Sequence, residues 1–360
     1  MRWSLALLSV LALVAGCAGA TTGSEWHELS LPARGARVVE LVPVRDGVLA
    51  LGSVPAGEDR APAAWTTADG SHWRAVTVEP HSPYGELAEL ISAGVGDRTV
   101  VLGRAFGGSH GNPRMTVWSG DSAKLTEYPQ VFELFGGPHA IGVAAAAALG
   151  GTDLLIGGWD GADGRYGAAI WVSADGANWQ RRVDDPALSS GPGELTGASA
   201  ITTGPEGFLI VGQTQREGTQ LPLAWTSRDG IGWRRTALPG RAALATQVGC
   251  NADHCTLFGQ STLASPTLLC WPSDTAAPVP GPAAQTIDMV KVMVQDTRTY
   301  AVVRLDGAVH LLSVRPDCTD RQDLPLPVPA AHAQLTELPN GLLLSTIEDT
   351  GSRLWLRAHP

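Results

Sequence analysis

The nine residues WVSADGANW (171–179) have close copies at 65–73 (WTTADGSHW) and 225–233 (WTSRDGIGW), each an Asp-Gly turn with an indole at either end. Asp and Gly accept the positive φ of a hairpin turn, and a flanking Ser or Thr bonds the turn's own N–H groups. Each copy therefore reads as two antiparallel strands joined by a tight hairpin. The first tryptophan of the unit sets a period: Trp65, Trp118, Trp171, Trp225 and Trp271 are spaced by 53, 53, 54 and 46 residues. A chain that repeats at this interval sets like units side by side, which overrides the two domains its length alone would allow.

A second pattern lies upstream of each tryptophan. A turn rich in Gly or Asp leads into four to six apolar residues that often end in Gly, at 45–53, 95–104, 150–158 and 204–213, with weaker copies at 251–260, 296–305 and 338–347. That makes seven units of four short strands. The first strand of each is small and apolar, as in IGVAAAAAL (141–149) and TGASAITT (196–203). Small side chains suit strands that converge on a central channel. Helical signals are nearly absent, since no segment sustains i, i+3, i+4, i+7 apolar spacing between caps. The expected fold is all-β: a seven-bladed β-propeller of four-stranded antiparallel blades. The last unit supplies only three strands before the chain stops, and GSEWHELSLP (23–32) matches the missing fourth, with Trp26 in the place of Trp179 and Trp233. The N-terminal strand is therefore expected to join the last blade, closing the ring and hiding both edges.

The first residues stand apart from the fold. After Arg2 comes an apolar run over 5–14, too short for a permanent membrane span, and then LVAG before Cys17. This LVAGC resembles the lipobox of bacterial lipoproteins, in which small residues admit the signal peptidase and the cysteine sulfur takes a diacylglycerol. The resemblance implies a signal peptide over 1–16, lipidation at Cys17, a lipidated tether over 17–24 and one propeller domain over 25–360. The protein would be anchored by its lipid to a cell membrane and exposed on the extracytoplasmic side. The alternative is an ordinary secretory peptide cleaved elsewhere, for instance after CAGA (17–20).

Net charge is −10, and Lys124 and Lys291 are the only lysines. Without a Lys/Arg cluster an acidic surface repels phosphate backbones, so no nucleic-acid partner is expected. Besides Cys17, four cysteines remain: Cys250, Cys255, Cys270 and Cys318. An even count in an exported chain favours disulfides. Cys250 and Cys255 flank a hairpin in blade five, where a short bridge is geometrically feasible if their Cβ atoms face each other. Cys270 with Cys318 follows by elimination and would tie blade five to blade six; free thiols are the alternative.

The turns SADGANW (173–179), SRDGIGW (227–233) and TADGSHW (67–73) resemble a shortened Asp-box, the bacterial neuraminidase repeat of sialidase-like propellers. In that family the motif sits on the rim, away from the substrate face. The resemblance implies structural roles for Asp69, Trp73, Asp175, Trp179, Asp229 and Trp233, with the carboxylates holding hairpins rather than doing chemistry. It does not extend to sialidase activity. The Arg-Ile-Pro sequence near the start is missing from LPARGARVVEL (31–41), tyrosine occurs only at 84, 128, 166 and 300, and no partner glutamate can be assigned.

Residues that could face a ligand lie on loops between second and third strands and between blades, which share the opposite end of the ring. They include Tyr84, His110, Arg114, Trp159, Asp160, Arg165, Tyr166 and Arg216, where aromatic and charged groups mix as in carbohydrate or protein recognition. No catalytic residue, cofactor or metal site is expected: nucleophile-elbow, zincin and P-loop patterns are missing, and the nine histidines lack metal-ligand spacing. The expected function is a monomeric, non-catalytic envelope lipoprotein that binds or assembles a protein or glycan. The alternative is a glycan-active hydrolase or lyase with its site on the loop face.

Overall fold

The computed structural model describes residues 25–106, 113–160, 166–182, 185–348 and 351–359. After β1 (Trp26–Leu29), the strands β2 (Arg37–Val44), β3 (Gly47–Ala56), β4 (Asp59–Thr67) and β5 (Arg74–Glu79) pair as one antiparallel meander. A second consists of β6 (Glu89–Val95), β7 (Thr99–Ala105), β8 (Arg114–Gly120) and β9 (Lys124–Glu127). Separate four-stranded sheets follow. The first two contain β10 (Ala140–Leu149), β11 (Thr152–Asp160), β12 (Tyr166–Ser173) and β13 (Gln180–Arg182), then β14 (Glu194–Gly204), β15 (Gly207–Arg216), β16 (Thr219–Ser227) and β17 (Arg234–Ala237). The next two contain β18 (Ala243–Cys250), β19 (Cys255–Ser261), β20 (Thr267–Trp271) and β21 (Val279–Ala283), then β22 (Ile287–Val294), β23 (Thr299–Leu305), β24 (Ala308–Val314) and β25 (Gln322–Leu324). In the last sheet β26 (His332–Leu338), β27 (Gly341–Glu348) and β28 (Gly351–Ala358) are completed by β1, paired with β28 through Trp26↔Arg357 to Leu29↔Leu354. The two described helices, α1 (Pro83–Glu86) and α2 (Phe132–Phe135), are single turns in connections. Neither is long and apolar enough to cross a membrane.

The glycines that end the apolar runs have a structural cause. Six of the first strands carry a β-bulge, at Val38/Glu40, Leu90/Ser92, Val143/Ala145, Ala198/Ala200, Ala245/Gln247 and Met289/Lys291. Such a bulge pushes the first strand's backbone toward its neighbour. At Gly52, Gly157, Gly212 and Gly259 of the second strands, an added Cβ would overlap the carbonyl oxygens of Arg37, Gly142, Gly197 and Leu244. A side chain is excluded there by close approach of backbone to backbone.

The Asp-Gly turns follow one hydrogen-bonding plan. Asp69 Oδ1 accepts from the N–H groups of Ser71 and His72 (both 2.8 Å), Asp175 Oδ1 from Ala177 (2.9 Å) and Asn178 (2.8 Å), and Asp229 Oδ1 from Ile231 (2.8 Å) and Gly232 (2.9 Å). The next residue, Gly70, Gly176 or Gly230, has φ of +81°, +72° or +74° and donates its N–H to the hydroxyl of Thr67, Ser173 or Ser227. The closing indole then packs on the preceding sheet. Trp179 joins Val100 and Leu102 of β7, Trp233 joins Leu154 of β11, and Trp73 joins Leu338 and Leu343 of the last sheet. Each turn thus fastens one sheet to the one before it.

One feature departs from expectation. The first two meanders merge into an eight-stranded sheet, because β5 and β9 pair in parallel through Thr77↔Lys124, Val78↔Leu125 and Glu79↔Thr126. Both are outer strands of adjacent meanders and run the same way, so any bond between them must be parallel. The turn at 118–128 has no second tryptophan. No indole stands between these two edges, which lie within hydrogen-bonding distance.

The last sheet closes onto the first. Val38 N donates to Ser352 Oγ (2.9 Å), and Ser345 Oγ donates to the Val38 carbonyl (3.0 Å). Two disulfides form, Cys250–Cys255 across the β18–β19 turn and Cys270–Cys318 between β20 and the loop after β24. The second lies in a core cluster with Phe258, Leu268 and Val314, in the part of the chain without Asp-Gly turns.

Candidate binding site

Alternation of strand direction puts the Asp-Gly turns at one end of the sheets. At the other end lie the connections between sheets and the loops joining second to third strands. Exposed apolar side chains gather at this second end: Tyr84, Leu87, Phe106, Val131, Phe132 and Ile141 all lie between β5 and the start of β10 and all are exposed, Phe132 at 50% and Phe106 at 59%. Contiguous apolar exposure of this kind marks an interaction surface more often than it serves a monomer.

The connection carrying Tyr84 is held from below. Glu127, the last residue of β9, is 1% exposed, yet its carboxylate accepts from His81 N (2.6 Å), Ser82 N (2.9 Å) and Ser82 Oγ (2.6 Å). Ser82 in turn caps α1 by accepting from Gly85 N (2.9 Å). A buried carboxylate without these donors would be strongly destabilising, so the loop and Glu127 hold each other in place.

The connection carrying Phe132 is pinned by three hydrogen bonds. Trp171 Nε1 donates to the Leu134 carbonyl (2.8 Å), and Arg181 Nη1 donates to the carbonyls of Glu133 (2.6 Å) and Leu134 (2.9 Å). The Arg181 guanidinium lies 3.5 Å from the centroid of Trp159, and Phe135 packs on Trp171 at 5.8 Å. Burial pulls the Arg181 pKa down, though not far enough to discharge a guanidinium.

Between these loops stands Arg114, at the start of β8. Its guanidinium carbon lies 4.1 Å from the Phe132 ring centroid and 5.7 Å from that of Tyr84. Among the described residues it has no carboxylate partner. Its neighbour Arg104 contacts Phe106 (5.7 Å) and is paired with Glu89 (3.2 Å), which also holds Arg37 (3.1 Å). Beside Arg114 a groove of about 370 Å³ runs between β8 and β10, lined by Met115, Phe132, Phe135, Ile141 and Val143.

Of the residues singled out in the sequence, the structure brings Tyr84 and Arg114 together, while Trp159, Asp160 and Arg216 make other contacts. The Trp159 indole is buried, edge-on to Trp171 at 6.5 Å, so it supports the loop face without being displayed on it. Asp160 ends β11 and donates its backbone N–H to the His139 carbonyl (2.8 Å). Tyr166 opens β12 opposite Asp160, and its side chain, like His110, Arg165 and Cys17, lies outside the described residues. Arg216 ends β15 and is spent in an ion pair with Glu194, which Arg235 also engages at 3.0 Å. Sequence reasoning passed over Phe132, Glu127 and Arg181. The signal for the first was there: VFELF (131–135) is an apolar run in a connection that needs none.

A cavity of about 480 Å³ lies on the ring axis, lined by residues from each first strand, β2, β6, β10, β14, β18, β22 and β26. Small residues dominate, and the charged pair Lys291–Glu40 links β22 to β2 inside it. At the loop end, His332 has its pKa lowered by burial and by the cations Arg304 and Arg37; Arg304 is itself paired with Asp288 (2.8 Å). Among the described residues no group of three or more His, Cys, Asp or Glu is placed to hold a metal.

No protein-family model and no curated protein sequence matches the chain. Solved structures do. The polysaccharide lyase Uly1 aligns over 91% of this chain and 91% of its own length at 10% identity, with a TM-score of 0.56. The β-propeller domain of the Trilobed protease from Pyrococcus furiosus aligns over 90% of this chain and 96% of its own length at 8% identity, with a TM-score of 0.52. That domain is described as having an open velcro topology, whereas here β1 is zipped onto β28. A mutant Trypanosoma rangeli sialidase aligns over 93% of this chain at 11% identity with a TM-score of 0.47, and the chain spans 59% of that enzyme's length. It spans 46% of a prolyl endopeptidase. The chain thus has the β-propeller fold, and at these identities the likeness speaks for fold alone.

Proposed function

We propose that the protein is a non-catalytic lipoprotein of the cell envelope, monomeric and anchored through Cys17 after removal of residues 1–16, with residues 25–360 forming a sialidase-like propeller that binds a protein or glycan. The ring is read as seven blades, the eight-stranded sheet counting as two. The observation that carries the reading is the Tyr84–Arg114–Phe132 group: exposed aromatic rings, on two separately anchored loops, beside a cation that has no carboxylate partner among the described residues. Exposed apolar groups cost solubility, so such rigid display is best explained by a partner. The carboxylates nearest the ring axis at this end, Glu89, Glu194 and Asp288, are each held by arginine, which argues against a free general acid.

The anchor supports the same geometry. β1 begins beside Arg357, at the end of the ring that carries the Asp-Gly turns. The tether 17–24 reaches about 28 Å at most. A lipid at Cys17 holds that end toward the membrane and turns the loop face away from it, toward partners.

A second reading, a glycan-active enzyme, draws on one observation. Burial and the cations Arg304 and Arg37 lower the His332 pKa, and an imidazole beside two arginines is a group that can take a proton next to a bound sugar carboxylate. The test is a photo-crosslinker placed at Phe132, and at Ile231 on the opposite end as control, in cells. A partner captured from the first position alone supports the platform. Turnover of an acidic polysaccharide by the purified protein, lost in His332→Ala, overturns it.

A further inference from the structure

We infer that the groove beside Arg114 is a peptide-binding site that seats an apolar side chain while Arg114 pairs with an adjacent carboxylate. The inference rests on the binding-platform reading and narrows its partner to a protein.

The chemistry follows from what is and is not in the groove. The Arg114 guanidinium lies against the Phe132 ring at 4.1 Å, with the Tyr84 ring at 5.7 Å, and stacking on a ring leaves the N–H groups of a guanidinium free to donate in its own plane. An edge-on guanidinium presents paired donors that match a carboxylate, a geometry an ammonium cannot reproduce. On a chain of net charge −10, a cation without a counter-charge among the described residues is a local attractor for anions. The groove's volume of about 370 Å³ lies toward the small end of ligand pockets, ~300–1,000 Å³.

Its lining decides between peptide and sugar. Besides Arg114, the described side chains that line the groove are Pro, Met, Phe, Ala, Ile and Val, with glycines between them, and none of these carries a hydroxyl, amide or carboxylate. Sugar hydroxyls entering it would find only Arg114 and backbone groups among the described lining, whereas a Leu or Phe side chain would meet apolar side chains on its way in. The floor is preformed: Phe135 is fixed against Trp171, and Gly136 N donates to the Phe132 carbonyl (2.8 Å), so little ordering is left for the moment of binding.

The experiment uses the mature chain and three sets of labelled dodecapeptides, read by fluorescence anisotropy. One set places a single Glu beside a varied apolar residue with the C-terminus amidated, one replaces that Glu by Gln, and one has its C-terminal carboxylate as the only anion. Binding is expected in the first or third set, which tells side-chain from terminal carboxylates, and not in the second. Affinity should fall at least tenfold in Arg114→Gln, fall less in Arg114→Lys, be lost in Ile141→Asp and stay unchanged in Ile231→Asp. Unaltered thermal unfolding of Arg114→Gln separates loss of binding from loss of fold. Binding of the Gln set as tight as that of the Glu set, or binding indifferent to Arg114, overturns the inference. Failure of every peptide while acidic oligosaccharides bind at Arg114 overturns it and leaves the platform standing. Failure of both, with no crosslink at Phe132, removes the platform as well.

Discussion

The indole N–H of Trp225 donates to the carbonyl oxygen of Ala187 at 2.7 Å, across 38 residues of sequence. Trp171 does the same to Leu134, and Trp271 to Pro239 (both 2.8 Å). In each case the third-strand tryptophan of one sheet grips the connection that brought the chain into that sheet. The buried indole fills the core with its ring and ties down the loop end with its polar edge. Trp225→Phe, which keeps the ring bulk and deletes the donor, is expected to lower stability by about 1 kcal/mol. Trp225→Ala is expected to lose about 3–5 kcal/mol. Urea denaturation of the two variants checks the ratio.

Gly212 offers a sharper test of the bulge geometry. A methyl group there would meet the Gly197 carbonyl, and backbone cannot swing aside as a side chain can. Gly212→Ala should cost about 1–3 kcal/mol as overpacking. Gly151→Ala, at a turn where an added Cβ would meet only the Asp97 carboxylate at 3.9 Å, should not. Comparing their thermal midpoints decides whether close approach is what demands glycine.

Asp69, Asp175 and Asp229 are held below the usual aspartate range, Asp69 chiefly by the His72 side chain and the turn N–H groups, Asp175 by Asn178, and Asp229 by the Gly232 N–H. Folded values below the unfolded ones mean that the stability these groups supply is present above the unfolded aspartate pKa, ~3.9, and is lost as pH falls through the folded values. The stability gap between the wild-type protein and Asp175→Ala should therefore be constant from neutral pH down to about 5 and close only in stronger acid. A gap that closes near neutrality would contradict the assignment.

The two disulfides differ in how much chain they close. By loop-closure entropy, Cys270–Cys318, with a separation of 48, is worth about 4 kcal/mol, and Cys250–Cys255, with a separation of 5, about 2 kcal/mol. Cys318→Ser should therefore destabilise more than Cys255→Ser and should loosen the contact between the β18–β21 and β22–β25 sheets. Hydrogen exchange of β20 and β24 in each variant reads this directly.

Glu127 positions the Tyr84 loop without touching a ligand. In Glu127→Gln one oxygen of the carboxylate becomes an amide that faces donors, at a cost of about 1–3 kcal/mol. Exchange over 80–88 should rise while that of 131–136 is unchanged. Faster exchange in both segments would mean the two loops are coupled.

What can be read along the chain is what depends on near neighbours. The Asp-Gly turns close on residues two or three positions away, the alternating strands on the next hairpin, and the Cys250–Cys255 bridge on a single turn, so these were legible; the Cys270–Cys318 bridge and the pairing of the N-terminal strand with β28 span far more chain and were legible only because each was the partner left over once the local elements were assigned. The pairing of β5 with β9 was not, because it depends on how near the edges of two neighbouring sheets come to rest. The burial of Trp159 under Arg181 and the meeting of Tyr84, Arg114 and Phe132 depend likewise on where neighbouring sheets come to rest. Exposure and contact at loops are set by the packing of whole sheets, and a repeat pattern specifies each sheet without specifying what its loops will face.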